Sequence, residues 1–235
     1  GRTKLVDFEL SVFDFRFTDS AILMPALCNP VVSIIVALAS GVLLALPFSF
    51  YDGSLFVWFA LAPVLWLVAK VKTTKHALSV AAAFSLAWTL TAFSFLWQLI
   101  PPGMIALSVY TALFYVGALM AVRRLARWGV VNAVIGTAAV WALVEIARSV
   151  LPVLGFPWLL LGHALLNHDY LRQGADLLGV FGLSFMIALL NAGQMTASII
   201  IDHFGIMLPA PHPVSLLRII GAAMLAGGVF LIKKF

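Results

Sequence analysis

Charged residues are scarce in this sequence: Asp, Glu, Lys and Arg make up 10% of its 235 residues. A soluble domain carries about a quarter, so there is too little charge to cover a water-facing surface. Cysteine is nearly absent. The single thiol, Cys28, excludes an internal disulfide and a cysteine-built metal site. Short segments of alternating apolar and polar residues are missing too, which argues against a transmembrane barrel.

What fills the chain instead is apolar: 63% of residues are hydrophobic, and the mean hydropathy is +1.11. These residues need lipid to face. In lipid every backbone N–H and C=O must be paired internally, and long apolar runs do this as helices. The fold class expected is therefore all-α, a polytopic transmembrane bundle of about seven helices. A crossing takes about 20 residues. Seven stretches qualify: 30–46, 54–69, 77–99, 103–122, 130–150, 178–200 and 216–232. The second is short and holds Pro63, which favours a kink or an incomplete crossing.

The net charge of +5 does not point to nucleic acid. Its cations lie in short clusters between apolar runs: Lys70, Lys72 and Lys75 in one loop, Arg123, Arg124 and Arg127 in another. Both loops are expected on the cytoplasmic side. Counting spans outward gives a cytoplasmic amino terminus and an extracytoplasmic carboxyl terminus, although Lys233 and Lys234 run mildly against that rule. Residues 1–29 mix charge with scattered aromatics and lack the pattern of a signal peptide. They suit a segment along the cytoplasmic membrane face, or a tail.

Loop 151–177 is too long for a simple turn. Just before it stand Glu145 and Arg148, three apart on one helix face. Ionisable residues inside a span usually face a partner or a watery cavity; an intrahelical ion pair and a site role both fit. Then comes Gly155-Phe156-Pro157-Trp158, followed by Gly162-His163. Proline stops the helix, glycine permits a tight turn, and the aromatics suit the headgroup level. A plain interfacial turn and a re-entrant loop both satisfy that composition. Asn167, His168, Asp169, Arg172, Gln173 and Asp176 read as solvated loop. His163 and His168 lack the spacing of a helical zinc pair, so no metal site is expected. Asn191 and Gln194 suit interhelical hydrogen bonds. Pro101-Pro102-Gly103 reads as a hairpin turn, and Cys28 has no base nearby in sequence and reads as inert.

Several of these segments together resemble bacterial apolipoprotein N-acyltransferase. The strongest match is Trp141, Glu145-x-x-Arg148, Gly155-Phe156-Pro157-Trp158, Gly162, Gln173, Gly179-x-x-Gly182-x-Ser184-Phe185 and Asn191-Ala192. Supporting matches are the proline- and aromatic-rich stretch 46–52 and the aromatic run 93–97. The likeness covers roughly residues 30–235. His163 stands where the family usually has Tyr, and Ile146-Ala147 replaces a bulkier pair.

The resemblance implies acyl transfer in two halves. A cysteine thiolate takes a fatty acyl group from a membrane phospholipid. The thioester then passes it to the amino terminus of an S-diacylglyceryl cysteine on a lipoprotein. It implies substrate-binding roles for Glu145, Arg148, Phe156, Pro157, Trp158 and His163, no cofactor, and a place in the bacterial cytoplasmic (inner) membrane. In the family a nitrilase-like domain with a Glu-Lys-Cys triad follows the seventh span. No residue here matches that triad, so this chain alone is expected to be inactive: a fragment, a truncated product or half of a split enzyme. The competing expectation is a non-enzymatic scaffold or a transporter-like protein, the former recruiting a separate nitrilase-like subunit.

Overall fold

The computed structural model describes residues 27–48, 53–151 and 155–204. The expected seventh span at 216–232 and most of the amino-terminal segment lie outside these residues. Among the described residues seven α-helices follow one another: α1 (Pro30–Ala45), α2 (Ala62–Lys70), α3 (Thr74–Ala92), α4 (Pro101–Leu125), α5 (Val130–Val150), the single turn α6 (Asp169–Arg172) and α7 (Ala175–Phe204). No strand occurs among the described residues. The protein is an all-α transmembrane helical bundle. Among the described residues four stretches are long and apolar enough to cross a bilayer: Pro30–Phe48, Pro101–Trp128, Val130–Val150 and Ala175–Ala197.

The burial pattern fits a bundle in lipid. On α1 the inward stripe is small or hydroxylic (Ser33, Ala37, Ser40, Gly41), and the outward stripe is Val31, Ile35, Leu38 and Val42. Lipid is as apolar as leucine, so large side chains lose nothing by facing it and small ones let backbones approach. Gly41 marks the closest approach: a Cβ there would lie 2.5 Å from the carbonyl oxygen of Phe84 on α3. Helix α3 packs against α1, α2 and α4. Being enclosed, it tolerates Ser85 and Thr89 among its buried residues. Thr89 Oγ1 donates to Ser108 O on α4 at 3.0 Å.

The second predicted span, 54–69, is interrupted. A 3-10 turn, Ser54–Trp58, is followed by a break, and only then does α2 begin, with Pro63 in its first turn. A proline there lacks an N–H that the helix start leaves unbonded anyway. Both ends of α2 are completed by other helices. Asn191 Oδ1 on α7 accepts the N–H groups of Leu61 and Ala62, each at 3.2 Å. Its Nδ2 donates to Val57 O at 2.9 Å. At the other end Arg123 Nη1 donates to Val68 O and Val71 O at 2.6 and 2.8 Å, and Nη2 to Lys72 O at 3.2 Å.

Two further boundaries differ from the sequence reading. The expected Pro101-Pro102-Gly103 turn is instead the first turn of α4, preceded by a 3-10 turn, Ser94–Gln98, and by Leu99 and Ile100. Its cause is again the fit of proline to the first helical positions. Helix α7 starts at Ala175 and is interrupted at Gly179, whose φ of +67° only glycine adopts readily.

Candidate functional site

The long connection after α5 is held at successive points by side chains from three helices. It begins with Arg148 on α5, which is fully buried. Arg148 Nη1 donates to Phe156 O at 2.8 Å, and Phe156 N–H donates back to Arg148 O at 3.0 Å. Arg148 Nη2 donates to the Tyr115 hydroxyl on α4 at 3.2 Å. That hydroxyl donates onward to Leu159 O, also at 3.2 Å. The guanidinium carbon lies 5.6 Å from the Tyr115 ring centroid, within reach of a cation–π attraction.

Glu145 sits one turn before Arg148 and is fully buried. Its Oε1 accepts the Leu161 N–H at 2.8 Å and the Trp141 indole N–H at 3.1 Å. The Ser184 hydroxyl of α7 acts on the same carboxyl group and accepts the Gly162 N–H at 2.8 Å. Gly162 is required there, because a Cβ would collide with the Val180 carbonyl oxygen. Thus Glu145 bonds the loop at Leu161 and Arg148 bonds it at Phe156, their other hydrogen bonds going to Trp141 and Tyr115, and neither of these guanidinium bonds goes to Glu145. Placing a carboxylate or a guanidinium in a membrane bundle is costly unless its bonds are made locally.

Beneath the clamp lies an aromatic column. Tyr115 is 4.2 Å from Trp88 and 5.1 Å from Trp141 by ring centroids, and Trp88 and Trp141 stack at 5.8 Å. All three are buried. Above it, Phe156 packs edge-on against Phe93 at 5.8 Å and against Trp158 at 4.8 Å. Trp158 lies 6.0 Å from Phe95. Buried Phe93 thus gives way to half-buried Phe156 and then to exposed Trp158 and Phe95, with Trp97, Leu99 and Ile100 exposed beside them in sequence.

A family model for the apolipoprotein N-acyltransferase N-terminal domain matches residues 40–193, a stretch that contains the column, the clamp and the loop. The chain belongs to that family. Among curated relatives it is 35% identical to the apolipoprotein N-acyltransferase of Geobacter metallireducens over 191 residues, 77% of this chain and 36% of the relative. It therefore spans little more than a third of that relative's length.

Within this acyltransferase-family domain, the six residues singled out by sequence fall into two groups. Glu145 and Arg148 are internal and hold the loop. Phe156, Pro157 and Trp158 form its surface, Phe156 half-buried and the other two exposed. His163 lies in the 3-10 turn Leu161–Leu165, half-buried. Burial, and then the Arg148 charge, holds its imidazole below the usual histidine range. His168 goes elsewhere, its Nε2 meeting Ser54 Oγ at 2.6 Å. Arg172 pairs with Asp169 at 2.9 Å on an exposed turn, where such a pair contributes little.

The sequence reading missed Tyr115 and Trp88, and saw Arg123 only as a topological charge. A signal existed for Tyr115: a tyrosine in mid-span needs a partner for its hydroxyl. Nothing in the sequence marked Arg123 apart from Arg124.

Proposed function

We propose that this chain is the membrane domain of an apolipoprotein N-acyltransferase. Such an enzyme moves a fatty acyl group from a phospholipid to the amino terminus of an S-diacylglyceryl lipoprotein. In this reading the loop around Phe156, Pro157 and Trp158 lies at the extracytoplasmic face of the bacterial inner membrane and seats acyl chains. Glu145 and Arg148 act through the loop rather than on a headgroup, and His163 lines its inner edge. The observation that carries the reading is the clamp itself. Two buried charges and two buried hydroxyls are committed to fixing a loop whose outermost side chain is an exposed tryptophan. A rigid apolar platform of this kind favours catalysis by positioning.

The thioester-forming nucleophile is supplied from outside these residues. Cys28 stands before α1, whose 16 residues place it about 24 Å from the loop end of that helix. Burial raises its thiol above the usual range, which disfavours the thiolate. A nitrilase-like domain or subunit over the loop completes the site. The transporter-like alternative loses its best residue, because Asn191 is committed to the start of α2.

The test uses membranes containing the chain, a phosphatidylethanolamine with a photoactivatable acyl chain, and a diacylglyceryl-cysteine peptide. Labelling is expected to concentrate on the fragment bearing residues 155–166, and Trp158→Ala is expected to abolish it at unchanged protein level. Labelling spread evenly along the outer helix faces, and indifferent to Trp158→Ala, would sink the acyl-seat assignment. A Cys28→Ser, Asn167→Cys variant checks the side: an impermeant maleimide should reach it in intact spheroplasts.

A further inference from the structure

The backbone at Leu159 is strained. Its φ is +56°, and it is the non-glycine residue with positive φ among the described residues. A bulky side chain in this region is a genuine outlier, held only where surrounding structure over-determines it. Leu159 directly follows Trp158, so its backbone angles decide where the tryptophan is aimed. Its side chain is nearly buried, whereas Trp158 is exposed.

Leu159 is reached by a side-chain hydrogen bond from Tyr115, whose hydroxyl donates to Leu159 O. The same hydroxyl accepts from Arg148 Nη2, so both its roles are filled and its orientation is fixed. The ring has little freedom either, packed against both Trp88 and Trp141. Neighbouring residues are tethered by other groups: Phe156 by Arg148, Leu161 by Glu145 and Gly162 by Ser184.

We infer that Tyr115 is a positioning residue whose hydroxyl holds Leu159 in its left-handed conformation and so presents Trp158 at the surface. This rests on the reading of Trp158 as an acyl-chain contact. The claim about the backbone can be tested independently of that reading.

The experiment is a double-mutant cycle in nanodiscs, Tyr115→Phe against Leu159→Gly. Glycine adopts positive φ without strain, so a tether that opposes strain at Leu159 becomes dispensable once glycine is there. Hydrogen exchange of the peptide covering residues 155–162 is expected to rise about tenfold in Tyr115→Phe, the scale of the two hydrogen bonds lost, to Leu159 O and from Arg148 Nη2. In the Leu159→Gly background the same change is expected to raise it about threefold, because only the lost acceptor of Arg148 Nη2 still counts there, with the rest of α4 and α5 unchanged. Exchange as in the parent protein, or an equal rise in both backgrounds, would overturn the inference, since a purely packing role costs the same either way. If Tyr115→Phe fails to accumulate, recovery by Leu159→Gly supports the tether and failure in both backgrounds overturns it. The photoactivatable phosphatidylethanolamine then reads the consequence: labelling of the loop should fall with Tyr115→Phe. A coupled exchange effect with unaltered labelling would leave the tether standing and remove the acyl-seat reading of Trp158.

Discussion

The side-chain oxygen of Asn191 accepts the backbone N–H of Ala62 at 3.2 Å across 129 positions of sequence. A helix in the first half of the chain therefore starts on a residue of α7. In water a helix start can be capped by its own preceding residue or by solvent. Here Leu61 offers no side-chain oxygen, and no water competes within a bundle.

Replacing Asn191 by Leu is expected to destabilise the protein by about 2 kcal/mol, the cost of leaving buried donors unpaired. Asn191→Asp retains the acceptor for Leu61 and Ala62 and, when protonated, offers one O–H donor in place of the two amide hydrogens that meet Val57 O and Ile187 O. It should therefore fall between the parent and Asn191→Leu at a pH where the carboxyl is protonated. Reversible unfolding in mixed detergent micelles measures both.

Arg123 and Arg124 are adjacent yet should respond differently to lysine. Arg123 forks to three carbonyls at the end of α2, a geometry one ammonium cannot reproduce. Arg123→Lys should lower stability by about 1–2 kcal/mol, in line with charge-assisted bonds to backbone. Arg124 is exposed, and Arg124→Lys should be neutral. Equal thermal shifts for the two variants would show that the fork carries no special stability.

Gly41 and Gly117 form a second contrast. A Cβ at Gly41 meets Phe84 O, Ala87 and the backbone nitrogen of Trp88 within 3 Å, while at Gly117 nothing lies within 4 Å. Gly41→Ala should force α1 off α3 and cost about 1–3 kcal/mol. Gly117→Ala should be neutral or stabilising by up to about 1 kcal/mol, since alanine is the better helix former. Thermal unfolding in one detergent ranks them.

His163 makes the protein acid-sensitive. Its imidazole is harder to protonate in the folded loop than in the unfolded chain, through burial and then Arg148. The unfolded state therefore takes up the proton first as pH falls. Stability should be level above the ordinary histidine range and decline below about pH 6.5. His163→Gln should flatten that decline. Melting temperature recorded between pH 5 and 8 checks the sign.

Much of the fold was legible because lipid simplifies the code. The six expected spans that fall on described residues correspond to helices, the second only over its latter half and the third ending early at Ala92; the seventh lies outside the described residues. The second span was legible as unusual, through Pro63, but its repair by Asn191 was not. The sixth was legible as polar inside, through Asn191 and Gln194, without showing that Asn191 is fully used and Gln194 exposed. Of the site, the motif from Glu145 to Trp158 was visible as residue types. The division into buried clamp and exposed platform was not, because it depends on which side of α5 faces α4 and α7.

The sequence by itself determined the solvent, the helical class and the approximate spans, because apolar run length and charge clustering act locally along the chain. Tertiary structure alone decided what each polar residue does. A buried donor or acceptor takes whichever partner lies within about 3 Å, and here those partners stand on other elements: Tyr115 of α4 for Arg148, Leu161 of the loop for Glu145, the start of α2 for Asn191.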